Sequence, residues 1–185
     1  AVQAHLPPVE EPAASIGAVN TIYRSPDGRL LGTNTDAAGF LEPLMQELQG
    51  AHLFRMARIL GAGGAARAVC AGLMTAGVRE IRVCNRTRSR GQIMAREIGG
   101  PIVVVDWADR AEAVDGVGLL VNTTNLGMIG APVLSMPLTK LPTGAVVTDI
   151  VYTPLMTPLL VSARERGNIV VDGLGMLLHQ ARPGF

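Results

Sequence analysis

The sequence has little net charge, few cysteines and no long apolar run, and each of these absences excludes a class of protein. A formal net charge of +1 leaves no basic excess for a nucleic-acid-binding surface. No apolar run approaches the ~20 residues needed to span a bilayer, and no charged-then-apolar targeting segment opens the chain. With 185 residues, 48% of them hydrophobic, the sequence indicates a soluble globular protein of one or two domains.

Cysteine and histidine are also scarce. The two cysteines and three histidines show no metal-ligand spacing, so we expect no metal site. Cys70 and Cys84 occur in apolar helix and strand patterns, which favours buried thiols over a disulfide. Reduced, buried thiols are typical of the cytoplasm, and we predict a cytoplasmic protein. Lysine is nearly missing, because the 16 basic residues include a single lysine, Lys140.

A glycine cluster lies where a short apolar run meets a helical pattern. The apolar residues at 57–60 predict a buried strand, and the turn that follows leads into apolar residues at helical spacing. Gly61, Gly63 and Ala66 match the G-x-G-x-x-A dinucleotide fingerprint, in which free amides at a helix N-terminus bind a pyrophosphate. Glycine runs also occur in ordinary strand-to-helix turns. A second predicted strand at 81–85, however, completes the βαβ unit that a dinucleotide site requires.

Strands and helices alternate from residue 57 onward, which predicts an α/β fold with a Rossmann-like, doubly wound parallel sheet. We predict strands near 57–60, 81–85, 102–106, 118–123, 145–151 and 168–171. We predict helices near 64–77, 88–98, 108–114 and 157–166, and a turn at Asp172 that enters a last helix. The proline-rich stretch 127–142 predicts a loop near the ligand-binding edge of the sheet.

The N-terminal part has a different pattern. Residues 1–15 contain several prolines and predict an irregular segment. Strand candidates at 18–23 and 29–34 flank the turn Ser25-Pro-Asp-Gly and predict a hairpin. Apolar residues at helical spacing after Asp36 predict an amphipathic helix to about Leu48.

The segment after the second predicted strand determines which nucleotide fits. It reads Asn85-Arg-Thr-Arg-Ser-Arg and contains no carboxylate for a ribose 2′-hydroxyl, whereas its three arginines suit a 2′-phosphate. The alternative is a solvated helix start. Because cationic residues at a helix N-terminus oppose the helix dipole unless an anion offsets them, we predict NADP.

Four polar residues are ambiguous when taken singly. Asp36 precedes a helix and is most simply its N-cap. Asn20 lies in a predicted strand, so it needs either a structural hydrogen bond or a ligand. Gln180 fits an ordinary exposed position, and Tyr152 fits a core aromatic whose hydroxyl reaches the surface.

Seven motifs together resemble the shikimate dehydrogenase family in order and spacing, across almost the whole chain from Ile16. They are Gly17-Ala-Val-Asn-Thr, Asn34-Thr-Asp, Gly61-Ala-Gly-Gly-Ala-Ala, Asn85-Arg-Thr, Asn122-Thr-Thr-Asn-Leu-Gly-Met, Asp149-Ile-Val-Tyr and Asp172-Gly-Leu-Gly-Met-Leu-Leu-His-Gln-Ala. The resemblance implies NADPH-dependent, reversible reduction of 3-dehydroshikimate to shikimate, a step of aromatic amino-acid and chorismate biosynthesis. A relative that uses quinate or aminoshikimate is the alternative within the enzyme class.

The resemblance also implies residue roles. Asp36 is the catalytic carboxylate that works with a lysine, and Asn20, Asp36, Tyr152 and Gln180 bind the substrate. The implied cofactor-binding residues are Gly61, Ala62, Gly63, Gly64, Ala65, Asn85, Arg86, Thr87, Arg90, Thr123, Gly173 and Met176, with the last two against the nicotinamide. Asn125 departs from the proline or serine usual in the family.

A larger departure concerns the substrate domain. In the family, that domain precedes this region and carries a serine pair and a lysine in a V-P-x-K-type motif. Lys140 lies far downstream and cannot be assigned that role. We therefore expect a segment of a longer enzyme, nearly inactive by itself; the alternative is a free-standing NADP-binding module without catalysis.

The resemblance implies three regions and a small set of partners. Residues 1–36 would be a remnant of an α/β substrate-binding domain, 37–172 the NADP-binding Rossmann domain, and 173–185 a C-terminal helix returning toward the substrate domain. The expected partner is a small-molecule substrate, with no nucleic acid and no membrane, in a monomer or homodimer.

Overall fold

The N-terminal part of the computed structural model is a hairpin followed by a helix; the structure describes residues 9–48 and 54–184. Its elements are α1 (Ala13–Ile16), β1 (Thr21–Arg24), β2 (Leu30–Thr33) and α2 (Asp36–Glu47). The antiparallel pair β1–β2 confirms the predicted hairpin, and the Gly28 amide donates to the Ser25 carbonyl across its turn. Of the segment predicted to be irregular, residues 1–8 lie outside the described part. One helical turn, α1, forms in the remainder and ends at Gly17, whose φ of 70° is left-handed.

A six-stranded parallel sheet forms the rest of the molecule. Along the chain its elements are β3 (Met56–Leu60), α3 (Gly64–Thr75), β4 (Glu80–Cys84), α4 (Arg88–Ile98), β5 (Ile102–Val105), β6 (Leu119–Asn122), β7 (Val146–Asp149), α5 (Pro158–Glu165), β8 (Ile169–Val171) and α6 (Gly173–Ala181). In the strand order β5-β4-β3-β6-β7-β8, strands β3 to β5 are added toward one edge of the sheet, and strands β6 to β8 are added toward the other edge. All six strands remain parallel, and the change of edge occurs between β3 and β6. This is the doubly wound Rossmann order, and ligands bind at such a switch point.

The two faces of the sheet bury separate apolar cores. Ala57, Ile59 and Val121 pack beneath α2, α3 and α6, whereas Leu60, Leu120 and the helix α5 belong to the opposite core. The predicted strand and helix positions are confirmed within a few residues, because apolar runs of this length are buried on both faces of a parallel sheet. No helix within residues 9–48 and 54–184 is long and apolar enough to cross a membrane.

One predicted helix is wrong. The segment near 108–114 forms two short 3₁₀ helices, Ala108–Arg110 and Glu112–Val114, instead of one α-helix. Its backbone hydrogen bonds join an amide to the carbonyl three residues earlier, as from the Asp109 amide to the Asp106 carbonyl. Seven residues are too few for a stable isolated α-helix, and 3₁₀ turns are the usual form of such short connections.

Arg58 is the unexpected member of the central strand. Its side chain is fully buried in β3, and none of its guanidinium nitrogens has a hydrogen-bond partner within the described ranges. Burial lowers the pKa of this guanidinium, and the Cys84 thiol opposes the shift. The apolar run that predicts the strand is therefore interrupted by a buried cation.

Candidate active site

Two cavities share one wall at the carboxyl edge of the sheet. The first, about 320 Å³, is lined by the glycine turn together with Asn85, Arg86 and Arg90, and we call it the arginine cavity. The second, about 340 Å³, is lined by Asp36, Tyr152 and residues of α6, and we call it the aspartate cavity. The residues from Thr123 to Asn125 line both, so the two cavities form one cleft across the switch point between β3 and β6.

The glycine turn closes tightly onto the loop after β6. Gly61 has a φ of 119°, which other residues rarely adopt, and an added Cβ would overlap Thr123 Oγ1. Thr123 in turn donates its hydroxyl to the Leu60 carbonyl at 2.7 Å. Gly63 is the N-cap of α3 and has no side chain to satisfy the first amides of that helix. The turn thus presents uncapped amides and a positive helix end to the cleft, which suits a phosphate group.

The three arginines that follow β4 do not all face the same cavity. Arg86 and Arg90 line the arginine cavity, but Arg88 pairs with Asp106 and is no part of the lining. The three arginines of this segment therefore do not all face one cavity: Arg88, which the family resemblance does not assign to the phosphate, pairs with the half-exposed Asp106 just after β5. Thr87 is the N-cap of α4 without a side-chain capping bond, and Asn85 donates to its carbonyl at 2.8 Å.

Trp107, the single tryptophan of the sequence, lines the arginine cavity and was not predicted as a site residue. The Arg110 guanidinium lies over the indole, 5.1 Å from the ring centroid. Trp107 is the second residue after the end of β5, which ends at Val105. Its position at the carboxyl end of a parallel strand is the signal that could have identified it.

Asp36 is the first residue of α2, not its N-cap. Thr35 occupies the cap position, and the Asp36 carboxylate accepts a hydrogen bond from Asn20 Nδ2 at 2.7 Å. The N-cap interpretation of Asp36 is therefore wrong, and its carboxylate lines the aspartate cavity instead. Burial raises the pKa of Asp36, and the Asn20 hydrogen bond, which stabilises the ionised form, opposes that rise.

The remaining predicted residues divide into those that line the cleft and those that do not. Tyr152, Gln180, Gly173, Met176, Ala65 and Thr123 line the aspartate cavity, and Gly61, Ala62 and Gly63 line the arginine cavity. Asn20, Gly64 and Thr87 line neither. Asn20 reaches the site through Asp36, while an added Cβ on Gly64 would face Ala18 at 3.7 Å.

A buried polar network supports the floor of the cleft. Asp149 Oδ1 accepts from Asn122 Nδ2 at 2.9 Å and from the Val151 amide at 3.0 Å, and Oδ2 accepts from the Thr157 hydroxyl at 2.8 Å. Burial raises the pKa of Asp149, and these three hydrogen bonds oppose the rise. The network joins the loop after β6 to the loop after β7, so it fixes both cavities relative to each other.

Lys140 lies outside the cleft. It belongs to the proline-rich stretch 127–142, and its exposed ammonium group pairs with Glu112. No group of three or more histidine, cysteine, aspartate or glutamate side chains is placed to hold a metal ion in the part of the chain that the structure describes. Cys70 and Cys84 are free and buried, and burial raises the pKa of Cys70 to about 12.

Comparison with known proteins gives a consistent result. A family model described as shikimate/quinate 5-dehydrogenase matches residues 44–127. An NADP(+)-dependent shikimate dehydrogenase of Paramagnetospirillum magneticum is 56% identical over 185 residues, which cover 98% of this chain and 65% of the relative. The chain spans just under two thirds of the length of the curated relatives it matches.

Solved structures agree with these sequence matches. Quinate dehydrogenase from Corynebacterium glutamicum in complex with NAD superposes with a TM-score of 0.88 at 34% identity, covering 97% of this chain and 65% of that one. Shikimate 5-dehydrogenase from Thermus thermophilus, in complex with NADP(H) and shikimate, gives a TM-score of 0.79 at 39% identity, with the same coverage of both chains, 97% and 65%.

Proposed function

This chain belongs to the shikimate dehydrogenase family, and we propose that it forms the cofactor side and part of the substrate side of an enzyme that interconverts 3-dehydroshikimate and shikimate with NADP(H). The observation that carries the proposal is the lining of the aspartate cavity. Asp36 and Gln180, the proposed substrate residues, face the same space as Gly173 and Met176, the proposed nicotinamide residues. Hydride transfer between an alcohol and a nicotinamide is coupled to movement of a proton, so an acid–base group beside the nicotinamide site fits this reaction.

The arginine cavity fits a dinucleotide with a 2′-phosphate. The uncapped amides of Gly64 and Ala65 at the start of α3 would hold the pyrophosphate. Asn85, Arg86 and Arg90 line this cavity and would surround the 2′-phosphate, where guanidinium groups form forked, charge-assisted hydrogen bonds. Thr87, the N-cap of α4, lies outside the lining, and only the family resemblance assigns it to the same phosphate. When bound, the nicotinamide supplies or accepts the hydride.

Asp36 would act as the carboxylate of a proton relay. Asn20 donates to one of its oxygens and so favours the ionised form, which can accept a proton but has none to give. Reduction of the ketone needs a donor, and in the resembling family a lysine provides it. Since Lys140 is paired with Glu112, we expect this chain by itself to turn over very slowly.

The test is a shikimate-dependent NADPH-forming assay on the 185-residue polypeptide, with its intact mass measured alongside. The whole P. magneticum relative serves as the positive control. We expect NADPH binding with almost no turnover by the polypeptide. Full turnover by a chain of confirmed mass would contradict the requirement for a lysine, and failure to bind NADPH would contradict the cofactor assignment.

Quinate oxidation is the second candidate, because the family model covers both substrates and the chain superposes on a quinate dehydrogenase. Arg86 and Arg90 favour NADP over the NAD of that complex. Comparative kinetics on shikimate, quinate and aminoshikimate in a full-length context separate these substrates. A binding module without catalysis predicts no turnover on any of them.

The predicted organisation completes the proposal. We assign residues 1–36 to a substrate-binding domain, 37–172 to the Rossmann domain and 173–185 to a returning helix. The hydrogen bond from Thr35 to Gln180 supports the return of α6 toward the hairpin. We further propose a cytoplasmic monomer or homodimer, for which light scattering and cell fractionation are the measurements.

A further inference from the structure

Thr35 connects three residues of the substrate side that come from different elements. Its hydroxyl donates to the Gln180 carbonyl at 2.8 Å and accepts from Asn20 Nδ2 at 3.0 Å, and its amide donates to Asn20 Oδ1 at 3.0 Å. We propose that Thr35 is a positioning residue, which orients the Asn20 amide toward Asp36 and holds the end of α6 beside them. The inference rests on the proposed function and adds a residue to its site.

The backbone amide of Thr35 sets which way the Asn20 side-chain amide faces, and the Thr35 hydroxyl holds one of the two Nδ2 hydrogens in place. The Thr35 backbone N–H needs an acceptor, so the Asn20 oxygen must lie on its side. The two amide hydrogens then point to the Thr35 hydroxyl and to Asp36 Oδ1. A flipped amide would place its nitrogen against the Thr35 N–H and its oxygen against the Asp36 carboxylate. The orientation that supports an ionised Asp36 is therefore the only one that satisfies every partner.

The network also defines how Asn20 can meet a substrate. Its oxygen has two acceptor positions, one filled by the Thr35 amide and the other by the Thr21 hydroxyl at 3.0 Å. Thr21 is the next residue in the chain, and its hydroxyl can rotate away. A substrate hydroxyl can take the place of Thr21 without disturbing the bond between Asn20 and Asp36.

Helix packing fixes the other end of the network. An added Cβ on Gly39, one turn after Thr35, would lie 2.8 Å from the Gln180 backbone nitrogen, so α2 and α6 cross in direct backbone contact. The other titratable groups that face each other across these helices, Glu42 and His179, pair at 2.6 Å. The Thr35 hydroxyl thus bonds a carbonyl whose position is already set by this close crossing.

The experiment compares Thr35→Val, Thr35→Ser and Thr21→Val in the 185-residue chain. Valine has the shape of threonine without the hydroxyl, whereas serine keeps it. We measure the titration of the Asp36 carboxyl by ¹³C NMR, together with NADPH binding and melting temperature. Thr35→Val keeps the backbone amide that orients the Asn20 oxygen but removes the hydroxyl that holds the second Nδ2 hydrogen and bonds Gln180. The Asn20 side chain is then held by fewer bonds and donates less well to Asp36, so we expect Thr35→Val to raise the pKa of Asp36, and Thr35→Ser and Thr21→Val to leave it near that of the parent. NADPH binding should be unchanged in all three variants, because the arginine cavity is elsewhere.

A second measurement needs no substitution. In the unmodified chain, the two side-chain amide protons of Asn20 donate to Thr35 Oγ1 and Asp36 Oδ1. They should therefore exchange with solvent more slowly than the side-chain amide protons of the exposed Gln92. In a full-length context, Thr35→Val should lower kcat/KM for shikimate by about tenfold or more, because both hydrogen bonds of the hydroxyl are lost. Thr35→Ser should restore it.

The outcomes separate the two proposals. An unchanged Asp36 titration in Thr35→Val, or equally fast exchange of the Asn20 and Gln92 amides, overturns the role of Thr35. If the titration shifts as expected but a full-length protein oxidises neither shikimate nor quinate, the positioning role holds and the proposed function is wrong.

Discussion

The arginine cavity and the aspartate cavity are built in different ways. The arginine cavity takes most of its lining from two short stretches, 61–63 and 85–90, and offers backbone amides and exposed guanidinium groups. The aspartate cavity is lined by Asp36 and Gln180 and is supported by Asn20, and the bond from Thr35 to Gln180 spans 145 positions. The first is a product of local sequence, and the second exists only when distant elements meet.

This difference indicates that the arginine cavity depends less than the aspartate cavity on contacts between distant parts of the chain. A strand, a glycine turn and a helix N-terminus form as one βαβ unit, so the amides proposed to bind the cofactor are arranged by neighbouring residues. The residues proposed to bind the substrate depend on side-chain hydrogen bonds between the hairpin, the start of α2 and α6. We therefore expect cofactor binding to survive changes that abolish turnover, and four substitutions test this contrast.

The largest effect is expected for Asp36→Asn in a full-length context. Asparagine can still accept from Asn20, but it cannot take up a proton, so turnover should fall by about 10²–10⁴. Because burial raises the pKa of Asp36, activity in the oxidation direction should decline as the pH falls through that raised value. Steady-state kinetics and melting temperature are the measurements. Glu47→Gln, an exposed change at the end of the same helix, is the control; a lower melting temperature with unchanged turnover would make Asp36 structural.

The second effect tests the cofactor side alone. Arg86→Glu replaces a cation of the arginine cavity by an anion, so NADPH binding should weaken by about 100-fold, while NADH binding changes little. Trp107 lines the cavity, and its fluorescence on titration reports both cofactors. Arg96→Glu, in the last turn of α4, carries the same charge change and should affect neither. Equal losses for NADPH and NADH would remove Arg86 from the 2′-phosphate site.

The third substitution tests whether the buried cation of β3, the strand that leads into the glycine turn, contributes to stability. Arg58 has no hydrogen-bond partner among the described residues, so Arg58→Met should raise the free energy of unfolding by about 1–4 kcal/mol. Arg82 is its register neighbour on β4 and is bonded to Glu80 and to two carbonyls. Denaturant unfolding should show no such gain for Arg82→Met. A loss of stability in Arg58→Met would mean that the guanidinium has a partner in solution.

The smallest effect concerns the network between the cavities. Asp149→Asn leaves the Thr157 hydroxyl without its acceptor and should lower the free energy of unfolding by about 1–3 kcal/mol. Since the folded pKa of Asp149 is raised, the folded state binds more protons than the unfolded state just above pH ~3.9, and stability falls there as the pH rises. Thermal melts at several pH values above ~3.9 should no longer show this fall in stability in Asp149→Asn, whereas the exposed Asp115→Asn should still show it. An unchanged pH dependence would show that Asp149 titrates normally.

Much of the fold could be predicted from the sequence because its signals are local. Apolar runs and glycine turns recur at the spacing of βαβ units, which predicts a parallel sheet with helices on both faces. The strand order itself comes from the structure. The error near 108–114 has a local cause, since a segment of seven residues is too short for a stable α-helix and forms 3₁₀ turns instead. The pairing of Arg88 with Asp106, in contrast, could not be predicted, because the two residues lie on different elements.

The sequence by itself determined the α/β class, the glycine turn and the family, because each depends on residues that are neighbours in the chain. Only the tertiary structure decided that Asp36 faces a cavity rather than capping its helix, that Arg88 is neutralised, and that Thr35 joins Asn20 to Gln180. The physical reason is that a hydrogen bond or ion pair depends on distances of about 3 Å, and only packing sets such distances between residues far apart in sequence.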